Sequence, residues 1–361
     1  MKREMIFLSL IVLIPISLYS AGNLPQPVLR IKDKIQIRIS PTEGSALLKS
    51  RYEVLPILLT EGYQQEILIW RGTYLEVFSK EGQFIKRVGR EGEGPGEFSG
   101  IIKVIYRNGR YYILDFPNKV SIFDREFNFI ARTIYAGKLT SPFIHDFDIN
   151  ESIFVAVQRN RPYDKDMRQS EAANNNVISI YSLNGEYKHS FFPQNEGWAV
   201  YPEESLLGGH ILLNENKLFF VFNSINKIWM TSLDGKHIRK KEFGKNWWKP
   251  IIFNQNLYRE ARKAGKSAGL LLENALLSGD VIDGIYVYKD DIAIKILRTI
   301  DGNPNTFLII IKSNLINESD PIYLNSYQFC YAGKNDLYFY RYLSEYNPNM
   351  INIIEIVKCD I

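Results

Sequence analysis

The sequence predicts an all-β fold arranged as a six-bladed β-propeller, and three observations lead to it. Val, Ile, Tyr and Phe dominate the apolar runs, and Gly, Asn and Asp separate them, as strands and tight turns require. One hairpin pattern recurs with the period of a propeller blade, roughly 40 to 50 residues. Helical spacing of apolar residues is confined to one segment. A β-sandwich would share the strands but not the repetition of one hairpin.

The repeat is visible as three hairpins that align without gaps. They span residues 66–82, 111–127 and 219–235. The second and third pair Asp115 with Asn223 and Asn118 with Asn226, at a constant offset of 108. A fourth, shorter copy lies at residues 176–185. Each copy has the pattern strand, short loop, strand, turn, so each supplies the middle of a four-stranded blade.

The rest of the chain completes the predicted ring. Helical spacing in residues 254–279 predicts a helical insertion, formed by Leu257, Ala261, Ala264, Ala268, Leu271 and Ala275. Two further β units, around residues 284–315 and 327–359, bring the number of blades to six. Residues 351–358 are expected to be the third strand of the last blade. A strand at residues 28–40 would then complete that blade from outside and close the ring.

The start of the chain predicts export. Lys2 and Arg3 precede an apolar run at residues 5–18, and small residues follow at 20–22. This order is typical of a signal peptide, so we interpret residues 1–22 as a leader and residues 23–361 as one propeller domain. A membrane anchor is the alternative, but the run is shorter than the roughly 20 residues that a span needs. We therefore expect a periplasmic or extracellular protein with no transmembrane segment after cleavage.

Composition and motifs argue against several classes of function. Lys+Arg 44 against Asp+Glu 40 leaves a net charge of +4 without a block of five like charges, so we expect no nucleic-acid partner. The two cysteines are too few for a disulfide scaffold or a CxxC zinc framework. Cys330 and Cys359 would lie two strands apart in one sheet, so we expect free, buried thiols. No GxSxG, HExxH or CxxC motif is present, and we expect no cofactor and no catalytic residue.

A glycine-rich loop at residues 88–98 separates the first two hairpins. Its glycines are Gly89, Gly92, Gly94 and Gly96. A phosphate-binding loop opens a helix, whereas this loop precedes a β run and carries Glu91 and Glu93, which would repel phosphate. We expect the glycines to permit a tight crossing between blades through positive φ angles.

With this loop and the strands after it, the sequence resembles the NHL-type six-bladed β-propellers. It more closely resembles the exported bacterial proteins grouped as a six-bladed β-propeller family. The matching residues are 89–98, 112–115, 118–120 and 122–124, within a similar region at 74–133. The resemblance implies a propeller fold and a binding face. It implies no shared activity, although some other six-bladed propellers are metal-dependent lactonases or lyases, which is an analogy of fold alone.

Two long insertions predict where a ligand would bind. In a propeller, the loops from second to third strand and from outer to next inner strand emerge on one face. Residues 158–175 and 245–279 enlarge one loop of each kind. Loops on a rigid scaffold commonly carry recognition, so we expect this face to bind a protein, peptide or glycan of the cell envelope or exterior. The alternative is that both are tolerated surface insertions.

Four residues in these insertions are candidates for ligand binding. Arg159 and Arg161 lie in the first insertion, and Trp247 and Trp248 lie in the second. The two tryptophans stand between lysines, where aromatic rings would stack on sugars or anchor a peptide. Core packing is the alternative for at least one ring, because adjacent residues on a strand face opposite ways.

A metal site near the axis is the competing hypothesis. When Gln158 is aligned with Asp115 and Asn223, His145 and His210 fall on equivalent positions of neighbouring inner strands. Two imidazoles would bind a metal there, and Asp146 or Asp148 would supply the third ligand of a catalytic zinc site. That arrangement would make the protein a metal-dependent hydrolase or lyase. Hydrogen-bonded histidines without a metal are the other interpretation, and a non-catalytic binding propeller is our leading hypothesis.

Overall fold

Strands dominate the computed structural model, which describes residues 29–40, 58–135, 142–160, 176–193, 208–251, 278–300, 303–324, 327–343 and 352–361. Within these ranges the strands pair antiparallel into six separate sheets, and no helix is present. The predicted leader and most of the predicted helical insertion, residues 252–277, lie outside the described residues. No helix in these ranges has the length and apolar character needed to cross a bilayer.

The first four sheets each follow the chain from the inner to the outer strand. The first contains β2 (Leu58–Glu61), β3 (Ile67–Trp70), β4 (Leu75–Phe78) and β5 (Phe84–Val88). The second contains β6 (Ile101–Arg107), β7 (Arg110–Asp115), β8 (Lys119–Phe123) and β9 (Phe129–Ile134). The third contains β10 (Pro142–Ile149), β11 (Ile153–Asn160), β12 (Asn176–Ser182) and β13 (Tyr187–Pro193). The fourth contains β14 (Gly209–Asn214), β15 (Lys217–Phe222), β16 (Ile225–Ser232) and β17 (Arg239–Glu242).

The last two sheets depart from this plan at their outer edges. The fifth contains β18 (Asp280–Tyr288), β19 (Asp291–Ile300) and β20 (Asn303–Ile311). Ile322 exchanges two backbone hydrogen bonds with Leu308 of β20, at 2.8 and 3.2 Å, so the segment that contains Ile322 takes the place of an outer strand. The sixth contains β21 (Gln328–Ala332), β22 (Leu337–Tyr342) and β23 (Asn352–Asp360), with β1 (Arg30–Ile39) as its outer strand.

The six sheets form a closed ring. Each inner strand contacts the inner strand of the next sheet, in the order β2, β6, β10, β14, β18 and β21, and β21 contacts β2. Six apolar clusters fill the interfaces, one between each pair of neighbouring sheets. Residues on alternate sides of a strand therefore enter different clusters: Phe220 packs towards the third sheet, and Phe219 and Val221 pack towards the fifth. The predicted all-β six-bladed propeller is confirmed.

The strand β1 runs antiparallel to β23 over its whole length, from Arg30 opposite Asp360 to Ile39 opposite Asn352. Its second half alternates buried isoleucines with exposed polar side chains. The isoleucines enter the cluster that also contains Leu59 and Phe78 of the first sheet. This strand therefore pairs with the sixth sheet and packs against side chains of the first.

Turn glycines connect neighbouring blades in a repeated way. Gly82, Gly185 and Gly235 each lie between a third and an outer strand, with φ angles of +85°, +90° and +73°. A Cβ at these glycines would lie 2.8 Å from Gln36 O on β1, 2.7 Å from Thr133 Cγ2 on β9 and 2.5 Å from Phe191 Cγ on β13, respectively. Each turn thus touches the outer strand of the preceding blade. The blade that precedes the first is the sixth, and its outer strand is β1.

The repeat holds in part at the level of single residues. Asn118 and Asn226 make the same hydrogen bond, from Nδ2 to the carbonyl oxygen of Tyr135 or Phe243, which confirms their predicted pairing. Opposite Val120 lies Leu114, however, and opposite Ile228 lies Val221. The stretch between these paired residues is therefore one residue longer in the fourth blade, and the alignment without gaps is wrong for the strand that precedes it.

Candidate functional site

The antiparallel order of the strands gives the propeller two distinct faces. We call the face with the second-to-third and outer-to-inner connections the insertion face, and the opposite one the turn face. On the turn face, inner strands are joined to second strands by short turns, such as residues 108–109, 215–216 and 289–290. On the insertion face, β11 ends at Asn160 and β12 begins at Asn176, while β17 ends at Glu242 and β18 begins at Asp280. Both predicted insertions therefore lie in connections of the insertion face.

The two candidate arginines lie at the start of the smaller insertion. Arg159 is the penultimate residue of β11 and lies opposite Phe143 of β10. Its side chain, and the whole of Arg161, fall outside the described residues. Their assignment as ligand-binding residues stays a prediction.

The two candidate tryptophans lie in a turn that follows β17. Gly244 opens this turn with a φ angle of +70°, and its carbonyl oxygen accepts the N–H of Trp248 at 2.8 Å. The ring of Trp248 lies 5.8 Å from that of Phe243, and the ring of Trp247 lies 5.8 Å from that of Phe307. Both tryptophans are half-buried against the cluster between the fourth and fifth blades. Packing therefore fixes one side of each ring.

A buried ion pair holds the end of this turn in place. Arg298 contacts Asp280 at 2.6 and 2.7 Å and donates a further hydrogen bond to the carbonyl oxygen of Trp247 at 2.8 Å. Asp280 also accepts the backbone N–H of Lys249 at 2.8 Å. Burial alone would lower the pKa of Arg298, but the adjacent carboxylate of Asp280 raises it above its ordinary value. The turn is thus anchored while the side chain of Lys249 remains exposed.

Near the axis, His210 is level with Asp146 and not with His145. A β-bulge in β10 between Ile144 and Asp146 makes His145 the extra residue, whereas β14 has no bulge. His210 Nδ1 lies 3.1 Å from Asp146 Oδ2, and Lys103 Nζ lies 2.6 Å from Asp146 Oδ1. The expected equivalence of the two histidines is therefore wrong. The side chains of Lys103, Asp146 and His210 instead form a polar chain across three blades, which we call the axial chain.

The two carboxylates of β10 differ in their electrostatic surroundings. Burial alone would raise the pKa of Asp146, but Lys103 and His210 hold it below its ordinary value. Burial raises the pKa of Asp148, and the more distant Arg107 offsets this only in part. Asp148 accepts the backbone N–H of Leu213 at 2.8 Å. Asp146 is therefore a stable carboxylate engaged on both oxygens.

His145 belongs to a different group, an aromatic cluster that sequence reasoning missed. Its ring meets that of Phe143 edge-on at 4.5 Å, and Phe143 lies 5.4 Å from Phe116. Phe116 is 50% exposed and follows β7 at the insertion face. A large apolar residue in a second-to-third connection was the available signal for this cluster.

The described residues contain no group of three or more His, Cys, Asp or Glu side chains placed to hold a metal ion. The carboxylate oxygens of Asp146, which we considered as a third ligand, already contact Lys103 and His210. The metal site near His145 and His210 therefore stays a prediction.

Exposed apolar side chains mark the insertion face at three blades. Besides Phe116, Ile300 at the end of β19 is 44% exposed, and Leu343 after β22 is 42% exposed. All three occupy the point where a second strand ends. Tyr63 and Ile316 are exposed on the turn face, and Phe84, Ile130 and Ile238 are exposed where three outer strands begin at that face, so apolar exposure is not restricted to one side.

The glycine-rich loop forms the crossing from β5 to β6, as predicted. Gly89 has a φ angle of +90°, and a Cβ there would lie 2.5 Å from the ring of Phe98. Lys119 binds Glu93, and Asp115 accepts the backbone N–H groups of Ser99 and Gly100 at 2.9 and 2.7 Å. The loop is therefore held through its own Glu93, and Asp115 of β7 fixes the backbone that follows it.

The two cysteines are free and buried, which confirms the expectation. Cys330 lies on β21 and Cys359 on β23, with β22 between them. Burial raises the pKa of both thiols to about 12.

Comparison with known proteins supports the fold. A family model described as a six-bladed β-propeller matches residues 56–188, which span the first two blades and much of the third. No curated protein matches the sequence. A Bacteroides fragilis protein whose name calls it exported has a similar structure, with a TM-score of 0.51, 12% identity, and coverage of 90% of this chain and 94% of that one.

Two further solved structures are similar at lower scores. One is the extracellular domain of a Bacteroides thetaiotaomicron protein named as a hybrid two-component system, with a TM-score of 0.45 and 12% identity. The match covers 83% of this chain and 33% of that one. The other is a Bacteroides caccae protein of unknown function, with a TM-score of 0.44, 9% identity, and coverage of 72% and 80%. The chain is thus an all-β six-bladed propeller, and its residues 56–188 are similar to the six-bladed β-propeller family.

Proposed function

We propose that the protein is exported, is not itself an enzyme, and binds a protein, peptide or glycan through the insertion face. The observation that carries the proposal is the difference between the two faces. Short turns close the turn face, whereas the connections that follow β11 and β17 on the insertion face are long. Binding residues lie preferentially on long loops that a rigid scaffold positions.

Exposed apolar groups support this choice of face. Phe116, Ile300 and Leu343 recur at the ends of second strands, where each would lose water on contact with a partner. The axial chain supports a non-catalytic role, because Lys103 and His210 contact the two oxygens of Asp146 and hold it as a charged carboxylate. A general acid or base would instead need a pKa near the working pH.

Export rests on the leader predicted at residues 1–22. The Bacteroides fragilis protein of similar fold is named as exported, which agrees with this location. We place the mature protein in the periplasm or outside the cell, as a member of the NHL-type propellers. The helix predicted for residues 254–279 would form the larger insertion.

We also propose that β1 keeps the ring closed. The strand is the outer strand of the sixth sheet and also packs on the first blade, through Gly82 and through hydrogen bonds from Ser40 to Glu76. Its loss would expose the edge of β23 and open the cluster between the sixth and first blades.

The experiment that tests the binding proposal compares the two faces with matched variants. The domain 23–361 is immobilised, exposed to a solubilised envelope fraction of the source cells, and the retained material is quantified. Ile300→Ser with Leu343→Ser alters the insertion face, and Ile238→Ser with Ile316→Ser alters the turn face by the same chemistry. Circular dichroism checks that both pairs fold.

We expect the insertion-face pair to lose most of the retained partner and the turn-face pair to keep it. Equal retention by both pairs, or loss with the turn-face pair alone, would overturn the proposed face. The competing metal hypothesis is tested on the same protein: stoichiometric metal that disappears in His145→Ala and His210→Ala would favour a hydrolase or lyase.

A further inference from the structure

The outer edge of the fourth blade carries a concentration of exposed positive charge. Arg239 and Lys240 on β17, and Lys245 and Lys249 after it, are exposed. Among the residues that the structure describes, no carboxylate forms an ion pair with any of these four side chains. Nearby cations do have partners: Lys236 pairs with Asp234 at 3.4 Å, and Lys241 pairs with Glu318 at 3.1 Å. All four cations thus face solvent, and Glu242, between them in the sequence, is the one exposed carboxylate of β17.

The backbone that carries two of these cations is held at both ends. The N–H of Gly244 donates to Glu318 Oε1 at 2.8 Å, which ties the start of the turn to the fifth blade. At the other end, Asp280 accepts the N–H of Lys249, and Arg298 donates to the carbonyl oxygen of Trp247. Binding of a ligand here therefore costs little conformational entropy of the backbone.

The turn combines charge with aromatic surface. Trp247 and Trp248 lie between Lys245 and Lys249, and each is half-buried, so part of each residue remains accessible. Aromatic side chains offer an apolar body to the C–H face of a sugar ring, and ammonium groups form charge-assisted hydrogen bonds with carboxylate or sulfate. An acidic sugar presents both a C–H face and an anionic group within one residue, whereas a peptide would need separate apolar and acidic side chains for the two contacts.

A lipid surface fits these observations less well. Binding to a bilayer interface usually requires apolar side chains that enter the membrane. Here the apolar sides of Trp247 and Trp248 are already packed on Phe307 and Phe243. The cations also lie on two successive segments, the outer strand β17 and the turn after it, and a linear polymer can contact both.

We propose that Arg239, Lys240 and residues 244–249, together called the basic turn, bind an acidic polysaccharide. The inference rests on the proposed function, since the turn opens the larger connection of the insertion face and the proposal names the class of ligand taken there. Recognition combines ion pairs from the four cations with stacking on the exposed parts of the two tryptophans.

The test measures binding of the folded domain to a uronate polymer, with dextran as the neutral probe, at low and at physiological salt. The site variant is Lys245→Glu with Lys249→Glu. The control, Lys80→Glu with Lys334→Glu, makes the same change in net charge at exposed turns of the first and sixth blades. Polyglutamate and vesicles of anionic phospholipid are measured in parallel, and circular dichroism confirms folding.

We expect the wild type to bind the uronate polymer and not dextran, with affinity that falls as salt rises. The site variant should bind at least tenfold more weakly, and the control should bind as the wild type does. Equal weakening in both variants, or equal binding of polyglutamate or vesicles, would overturn the inference. If the uronate polymer does not bind but the Ile300→Ser and Leu343→Ser pair still loses the envelope partner, this inference fails and the proposed function stands. If the polymer binds as expected but that pair keeps the envelope partner, only the proposed face is rejected.

Discussion

At the scale of single residues, the axial chain shows how the propeller accommodates charge near its centre. Asp146 is 3% exposed, and a buried carboxylate without a partner would be costly. Lys103 and His210 come from the blades on either side, and the backbone N–H of Ile211 donates to the same carboxylate at 3.1 Å. The charge therefore links three consecutive blades.

Asp146→Asn should lower the free energy of unfolding by about 3 kcal/mol near neutral pH. This value is at the lower end of the range for breaking a buried ion pair, because the side chain of Lys103 is 25% exposed. The folded pKa of Asp146 lies below its ordinary value, so its contribution is complete above about pH 4 and is lost as pH falls further. Urea unfolding of both proteins between neutral and acidic pH should show the difference shrinking on the acid side.

Asp148→Asn is the matched control for that measurement. Burial raises the pKa of Asp148, so its charged form is disfavoured in the folded state. The unfavourable contribution of Asp148 to folding stability therefore grows as pH rises through that pKa. The substitution should cost less than Asp146→Asn at neutral pH. A larger cost for Asp148→Asn would contradict the assignment of Asp146 as the paired carboxylate.

The cysteines make a second prediction at this scale. Because burial raises the pKa of Cys330 and Cys359 to about 12, almost no thiolate is present at pH 8. A maleimide should label neither residue in the folded protein and both in denaturant, as counted by intact mass. Rapid labelling without denaturant, or a mass two protons lower from a disulfide, would show that the arrangement of β21 and β23 is wrong.

At the scale of elements, turn glycines and β1 determine how neighbouring blades meet. Gly82 has a positive φ angle and also lies against the backbone of β1, so it combines a conformational and a steric requirement. Gly96 has a similar φ angle of +73°, but a Cβ there would meet only the ring of Phe123 at 3.9 Å. Substitutions at these two glycines can therefore separate the conformational requirement from the steric one.

Gly96→Ala should destabilise the protein by about 1–2 kcal/mol, the cost of a left-handed conformation for a residue with a Cβ. Gly82→Ala should cost roughly 1–3 kcal/mol more, because the added carbon would also displace β1. Thermal unfolding of both variants checks the order. Equal costs would mean that β1 does not press on the first blade.

Deletion of residues 23–40 tests the closure directly. The truncated protein would lose the pairing of β1 with β23 and the isoleucines shared with the first blade, so its melting temperature should fall sharply. Deletion of residues 23–28 alone is the control, since it leaves β1 complete. An unchanged melting curve after the longer deletion would refute the proposed role of β1.

The elements also show what the sequence could and could not reveal. Repeated hairpins identified the blades, and the shared hydrogen bond of Asn118 and Asn226 shows that the alignment was correct where turn residues fixed it. The bulge at His145 left no signal, because a strand with one extra residue keeps an apolar and polar pattern on either side of it. The aromatic cluster of Phe116 and Phe143 was missed because it requires two blades to be brought together.

At the scale of the whole molecule, stability is distributed around the ring. Six apolar clusters lie between blades, so each blade buries its faces only against its neighbours. A blade excised from the ring would expose both faces to water. We therefore expect the propeller to unfold as one cooperative unit.

The whole-chain prediction concerns processing. Protein recovered from outside the cytoplasm should lack about the first 22 residues, because we interpret residues 1–22 as a cleaved leader. Intact mass measurement identifies the new N-terminus, and substitution of Lys2 and Arg3 by Glu should reduce the exported fraction. Recovery of the full-length chain from that fraction would show that the segment is retained as an anchor.

The adjacency of β1 and β23 has a consequence for biosynthesis. Among the described strands β1 is synthesised first and β23 last, yet Arg30 and Asp360 face each other in the finished ring. The strand β1 therefore lacks its hydrogen-bonding partner until all the other described strands have been synthesised. Such a delay would suit the export proposed above, in which the polypeptide passes through a narrow translocation pore before it folds.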